Sequence, residues 1–159
     1  AIAHRMNARA RLGEAEAALK LYQKLIAERT FPNLLTWQPP FQVDGTFGSL
    51  AGVAEMLLQS HGDFIELLPG LPGAWDEGSF EGLVARGNFV VSAHWENGEA
   101  TRFGITSRAG GECRLRYPGI GSATILNEQG EPVGAVSLEE DHVIFPTQPG
   151  DTFTIVVVD

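Results

Sequence analysis

The chain has little of several things, and each shortage excludes a class of function. It holds one cysteine, Cys113. A lone thiol forms no internal disulfide and builds no zinc site. No apolar run approaches the ~18 residues that a membrane-spanning helix requires. The first residues show no basic segment followed by an apolar one, the pattern of a secretory leader. They read Ala1-Ile2-Ala3-His4 without Met, as a processed, trimmed or partial chain would. Lysine is absent after Lys24.

The shortage of positive charge is local. Residues 1–62 carry six Lys or Arg against five Asp or Glu, whereas residues 63–159 carry five Arg against fifteen Asp or Glu. Nearly the whole net charge of −9 therefore belongs to the second part. An acidic surface repels nucleic acid and anionic membranes, so neither is expected as a partner. With 159 residues, 43% of them hydrophobic, the chain is long enough for one ordinary domain or two small ones. Its 28 Gly and Pro residues exceed the roughly 19 of an average composition, which implies many turns.

The pattern changes along the chain. Residues 4–29 read as helix, interrupted where Gly13 follows Leu12 and Glu14 begins again. In the second piece Ala18, Leu21 and Leu25 recur at helical spacing, with Ala17 and Tyr22 beside them. Residues 30–45 read as an ordered loop, because Pro32, Pro39 and Pro40 prevent a helix. That loop is apolar: Phe31, Leu34, Leu35, Trp37, Phe41 and Val43 must be buried or must line something. Residues 46–61 read as a further helix with a buried stripe of Leu50, Val53, Ala54, Leu57 and Leu58, stopped at Gly62. Gly48 and Gly52, one turn apart, would let another helix come close.

After residue 63 short alternating runs dominate. Phe89–Trp95, Asn97-Gly98 and Thr101–Ser107 form a hairpin signature, because a type I′ turn requires positive φ at both central residues. A two-residue loop would set Glu96 opposite Glu99, a like-charge penalty that a shift of one residue would avoid. Further strands are expected at 80–86, 112–117, 122–126, 133–137, 142–145 and 152–158. About eight strands at this spacing predict an antiparallel β-sandwich. The expected division is a helical part, 1–62, and a β part, 63–159, joined through the Pro/Gly-rich segment at 62–75.

The strongest candidate for chemistry is Asp44. It sits at the start of the third helix, where unpaired N–H groups and the helix dipole favour negative charge, beside Trp37, Phe41 and Phe47. Such a carboxylate suits a general base that activates water next to a sugar; an Asp at a helix start is also a common cap. The glycines at 45, 48 and 52 match no phosphate-binding pattern. His4, His61, His94 and His142 lack ligand spacing, so no metal is expected. No G-x-S-x-G occurs. Trp95 with His94 could stack on a sugar, although Trp95 is expected in the core. Glu55 lies eleven residues past Asp44, roughly 16 Å at the helical rise, too far for the ~5–9.5 Å of a glycosidase carboxylate pair.

The run from Asn33 to Gly48, NLLTWQPPFQVDGTFG, followed by Ala51 to His61, AGVAEMLLQSH, closely resembles glycoside hydrolase family 95. The likeness continues through Leu67-Leu68-Pro69-Gly70-Leu71-Pro72, Ala74-Trp75 and Gly82–Gly87, and includes Ala10-Arg11-Leu12-Gly13. It spans most of residues 8–96. The resemblance implies the last helices of an (α/α)6 catalytic barrel followed by a C-terminal β domain. It also implies an inverting α-L-fucosidase of 1,2-linkages or an α-L-galactosidase. In that family an Asp at the position of Asp44 works with two Asn side chains to activate water, and a Glu is the acid; the Glu and both Asn would lie upstream of Ala1. Gln38, Gln42 and Trp37, in the same motif, become the candidate substrate-binding residues. Gln38 stands where the family often has His, and Thr46 where Asn is usual, which leaves the choice between L-fucose and L-galactose open.

The partners implied are a fucosylated oligosaccharide or glycoconjugate and the remainder of the barrel. No cofactor is implied. The residues give no localisation; the resemblance suggests an extracellular or periplasmic enzyme. The 159 residues alone are expected to be inactive. A non-catalytic carbohydrate-binding or structural β module is the alternative.

Overall fold

The computed structural model describes residues 2–37, 43–135 and 137–157. The chain divides into two compact units. One is Ala1–Leu57 with Pro69–Gly73, the other Leu58–Leu68 with Ala74–Asp159.

The first unit holds three helices, α1 (Ile2–Arg11), α2 (Ala15–Arg29) and α3 (Val43–Leu57). The α1–α2 junction follows directly from sequence. Gly13 adopts φ of 70°, its N–H reaches Ala10 O at 3.0 Å, and Glu14 N–H reaches Arg9 O at 3.0 Å. This pair of bonds closes a Schellman motif, which needs a residue free to enter the left-handed region. In α2 the buried side chains are Ala18, Leu19 and Leu25; Leu21, expected among them, is half-buried.

Helices α1 and α3 run parallel. Ala3 lies against Gly48 and Met6 against Gly52, while Arg11 pairs with Glu55, so the numbering rises in the same direction along both. It follows that α2 carries the chain back between them. A Cβ at Gly48 would sit 2.9 Å from Ala3 Cβ; the two glycines permit the close approach their spacing implied.

That approach turns the third helix by about one residue, roughly 100°, from the expected orientation. The buried face is Ser49, Gly52 and Met56, whereas Leu50 is 65% exposed and Val53, Ala54, Leu57 and Leu58 are half-buried. Both faces of α3 are apolar, so periodicity alone did not separate them. The helix also starts three residues earlier than expected and ends at Leu57, not near Gly62. It stops because the next two residues pair as a strand and because Met56 O accepts Gly70 N–H at 2.9 Å.

The second unit is two five-stranded sheets. In chain order the strands are β1 (Leu58–Gln59), β2 (Ile65–Leu67), β3 (Gly78–Ala85), β4 (Phe89–Glu96), β5 (Glu99–Ser107), β6 (Gly111–Arg116), β7 (Thr124–Asn127), β8 (Ser137–Leu138), β9 (His142–Thr147) and β10 (Thr152–Val156). One sheet is ordered β1-β2-β6-β9-β8, the other β3-β4-β5-β10-β7. Period-two alternation is clean in β4, where Phe89, Val91, Ala93 and Trp95 are buried. These side chains share one core with Cys113, Leu115, Val143 and Phe145 of the first sheet. Across it Phe145 meets Phe153 edge-on at 5.0 Å, and Ser107 and Thr147 hydroxyls lie 2.8 Å apart.

Three expectations are corrected. The sheets are not wholly antiparallel, since β2 and β6 pair in parallel through Ile65↔Leu115 and Glu66↔Arg116. β3 to β5 intervene in the other sheet, which gives a crossover long enough for parallel pairing. The strand expected at 133–137 is only the two-residue β8, and β1 and β2 are additional. The β4–β5 turn keeps the strict register: Glu96 faces Glu99, with φ of 55° at Asn97 and 76° at Gly98. The irregularity falls further in, where His94 pairs Arg102 but Trp95 pairs Ala100, leaving Thr101 as a bulge.

Candidate active site

Asp44 lies in the first turn of α3, within the helix and not before it. It is exposed and lines an open recess of about 600 Å³ together with Ala3, His4, Asn7, Ala8 and Arg11 of α1 and Gly48 of α3. The recess runs along α1 from Ala3 in its first turn to Arg11 in its last, with Asp44 and Gly48 contributed by α3.

Two polar side chains on the α1 side of the recess, Asn7 and Arg11, are held in place. Asn7 Nδ2 donates to Ala3 O at 2.8 Å and to Gly48 O at 2.7 Å. Arg11 Nη2 donates to Glu55 Oε1 at 2.8 Å, and that bond holds the guanidinium's pKa above its ordinary value. These α1 residues were not among the sequence candidates. The only signal for them was the Gly48/Gly52 spacing, which announced a close helix without saying which one.

The loop before α3 is tied to it. Trp37 N–H donates to Arg29 O at 2.6 Å, and Thr36 N–H donates to Thr46 Oγ1 at 3.1 Å. Thr36 is buried. A Cβ on Gly45 would lie 2.7 Å from Thr36 Oγ1, so this loop and the first turn of α3 fit only with glycine there. Trp37 is 45% exposed, carries the Arg29 guanidinium 5.9 Å from its ring centroid, and does not line the recess. The other apolar loop side chains Phe31, Leu34 and Leu35 are likewise exposed. Gln38 and Gln42 lie outside the described residues.

In the second unit Trp95 is a core residue. It is 4% exposed and donates Nε1–H to Trp75 O at 2.9 Å, so its ring offers no platform to a sugar. Among the described residues no group of His, Cys, Asp or Glu is arranged to hold a metal, and no helix is long and apolar enough to cross a membrane.

Comparison with known proteins places both units in one class, the glycoside hydrolases. Residues 1–57 match the Glycosyl hydrolase family 95 catalytic domain, and residues 59–155 match the Glycoside hydrolase family 95, C-terminal domain. The chain belongs to glycoside hydrolase family 95. It is 43% identical over 97 residues to "Alpha-L-fucosidase 2" of Arabidopsis thaliana, a match covering 60% of this chain and 12% of that protein. It is 35% identical over 96 residues to "Probable alpha-fucosidase A" of Aspergillus niger, covering 53% of this chain and 12% of that protein. The matched stretches are thus about an eighth of the length of these relatives.

Proposed function

We propose that this chain is the C-terminal part of an inverting glycoside hydrolase that releases terminal α-L-fucose from oligosaccharides, with Asp44 as the general base. The observation that carries the reading is the placement of an exposed carboxylate in the first turn of α3, at an open recess lined along α1 from Ala3 to Arg11. Parallel neighbours joined by a returning helix are the repeat of an (α/α) barrel, and α1 to α3 are read as its last helices. The two sheets sharing one core are read as the C-terminal β-sandwich. The names of the two relatives support the sugar.

In this reading Asp44 removes a proton from water as the water attacks the anomeric carbon, on the side opposite the departing oxygen. An inverting pair stands ~6.5–9.5 Å apart with the water between. Glu55 does not supply the acid, because it lies down the helix and is held by Arg11. The acid, and the partners that close the recess, come from the remainder of the barrel. Trp37, Gln38 and Gln42, next to Asp44 in sequence, are the proposed sugar-binding residues.

The test is Asp44→Asn in the full-length enzyme, assayed on 2′-fucosyllactose. A fall in kcat of roughly 10²–10⁴-fold is expected for loss of a general base, with KM little changed. Proton NMR of the first product should show β-L-fucose in the unmodified enzyme. Near-normal kcat in the variant, or α-L-fucose as first product, would overturn the reading.

A further inference from the structure

The second unit contains only five Lys or Arg residues, all Arg; two of them stack on one aromatic ring, and a third lines the recess beside it. The Arg114 guanidinium lies 4.9 Å from the Phe64 ring centroid and that of Arg116 4.3 Å from it. Arg86 and Arg114 line the same recess as Phe64, a cavity of about 210 Å³ that also takes in Ser60, Asp63 and Glu112. The cluster is mixed in charge, because Asp63 and Glu112 share the recess and Glu66 and Asp141 sit on Arg116.

The three arginines are not equally engaged. Arg116 is neutralised by Glu66 at 3.0 Å and Asp141 at 3.6 Å. Among the described residues the carboxylate that faces Arg114 is Glu112, 3.8 Å away, beyond hydrogen-bond reach. Its Nε is buried and has no acceptor among the described residues. Arg86 is held in place by its backbone, whose N–H donates to Ser60 Oγ at 3.0 Å, and by Nη1 donating to His61 O at 3.3 Å. Phe64 itself is covered by the two guanidiniums and by the His142 ring 4.9 Å away, so the recess presents the Arg86 and Arg114 guanidiniums with the Asp63 and Glu112 carboxylates and Ser60 beside them.

We propose that this recess binds a monosaccharide unit that carries a carboxylate, as a uronic acid residue does. Guanidinium groups bind a carboxylate bidentately, while Asp63, Glu112 and Ser60 accept from ring hydroxyls. The rim carboxylates disfavour a dianion such as phosphate, which would bring two charges against them. The volume admits one sugar ring. All the lining residues belong to the second unit, and the proposal does not rest on the reading of Asp44.

The experiment is a calorimetric titration of the full chain at pH 7 with methyl β-D-glucuronide, methyl β-D-glucoside and sodium acetate, each alone. The glucuronide is expected to bind at least tenfold more tightly than either of the others. The amide signals of Gly62 and Gly87 should shift on its addition in an NMR titration. Replacing Arg86→Gln and Arg114→Gln together should weaken the glucuronide at least tenfold, with an unchanged circular dichroism spectrum, and Arg114→Lys alone should weaken it less. Asp44→Asn should leave it unchanged, which separates this site from the fucosidase reading. Equal affinity for the glucoside or for acetate, no saturable binding of the glucuronide, or undiminished binding by the double variant would overturn the proposal.

Discussion

Asn7 Nδ2 donates to Gly48 O across 2.7 Å, a single bond that fastens α1 to α3 one turn beyond Asp44. The same nitrogen donates to Ala3 O within its own helix at 2.8 Å. Both amide hydrogens are therefore used, and both acceptors are carbonyl oxygens. A carboxylate at this position would aim its lone pairs at theirs.

Asn7→Asp should accordingly destabilise the chain more than Asn7→Ala. Alanine removes two partly buried hydrogen bonds, worth about 0.5–1.5 kcal/mol each. Aspartate removes the same bonds and adds repulsion between oxygens. Urea unfolding at pH 7 gives the order, and an Asn7→Asp protein as stable as the unmodified one would contradict this account of the α1–α3 contact.

Gly48 makes a second demand on that interface. A Cβ there would lie 2.9 Å from Ala3 Cβ, and neither methyl group can rotate away, so the helices must part. Overpacking of this kind costs about 1–3 kcal/mol, against the ~1 kcal/mol that alanine gains over glycine in a helix. Gly48→Ala should lower Tm, whereas Gly62→Ala, with nothing within 4 Å of the added Cβ, should not. Equal Tm values for the two variants would count against close packing of α1 on α3.

These contacts show where local pattern stops being sufficient. The break at Gly13 and the turn at Asn97-Gly98 depend on φ values that few residues other than glycine and asparagine adopt, so composition discloses them. The buried set of β4 follows from alternation. The buried face of α3 does not, because Leu50 and Met56 are both apolar and only the presence of α1 decides between them. The pairing of β2 with β6 links Ile65 to Leu115, and no short-range signal connects residues so distant. The candidate site divides in the same way. Asp44 is visible as an acid at a helix start, whereas Asn7 and Arg11 come to line the same recess only when two helices pack in parallel.

Cys113 is fully buried in β6, and loss of solvation pushes its thiol pKa up from 9.0 to about 12. The thiolate is the reactive form, so the folded chain should resist Ellman's reagent at pH 8 and react once unfolded. The shift also sets a pH dependence. The folded pKa is raised, so above the unfolded value of 9.0 the unfolded chain releases a proton that the folded chain keeps. Stability is therefore full below pH 9 and declines as pH rises toward 12. Urea midpoints between pH 8 and 11 should fall more steeply for the unmodified chain than for Cys113→Ala. Parallel slopes, or rapid labelling of the folded chain, would refute the assignment.

At the tip of the β4–β5 hairpin Glu96 and Glu99 face one another directly. The Asn97-Gly98 turn holds this register despite the repulsion, and the bulge at Thr101 comes after it, so the like charges are not relieved by slippage. Cross-strand pairs of opposite charge contribute roughly 0.2–1 kcal/mol, and like charges oppose folding. Glu99→Lys should therefore raise the urea midpoint at low ionic strength. The gain should shrink at 1 M salt, where the screening length falls to about 3 Å. A midpoint that is unchanged at low salt, or a gain that persists at 1 M salt, would mean that the pair does not set the energy of the turn.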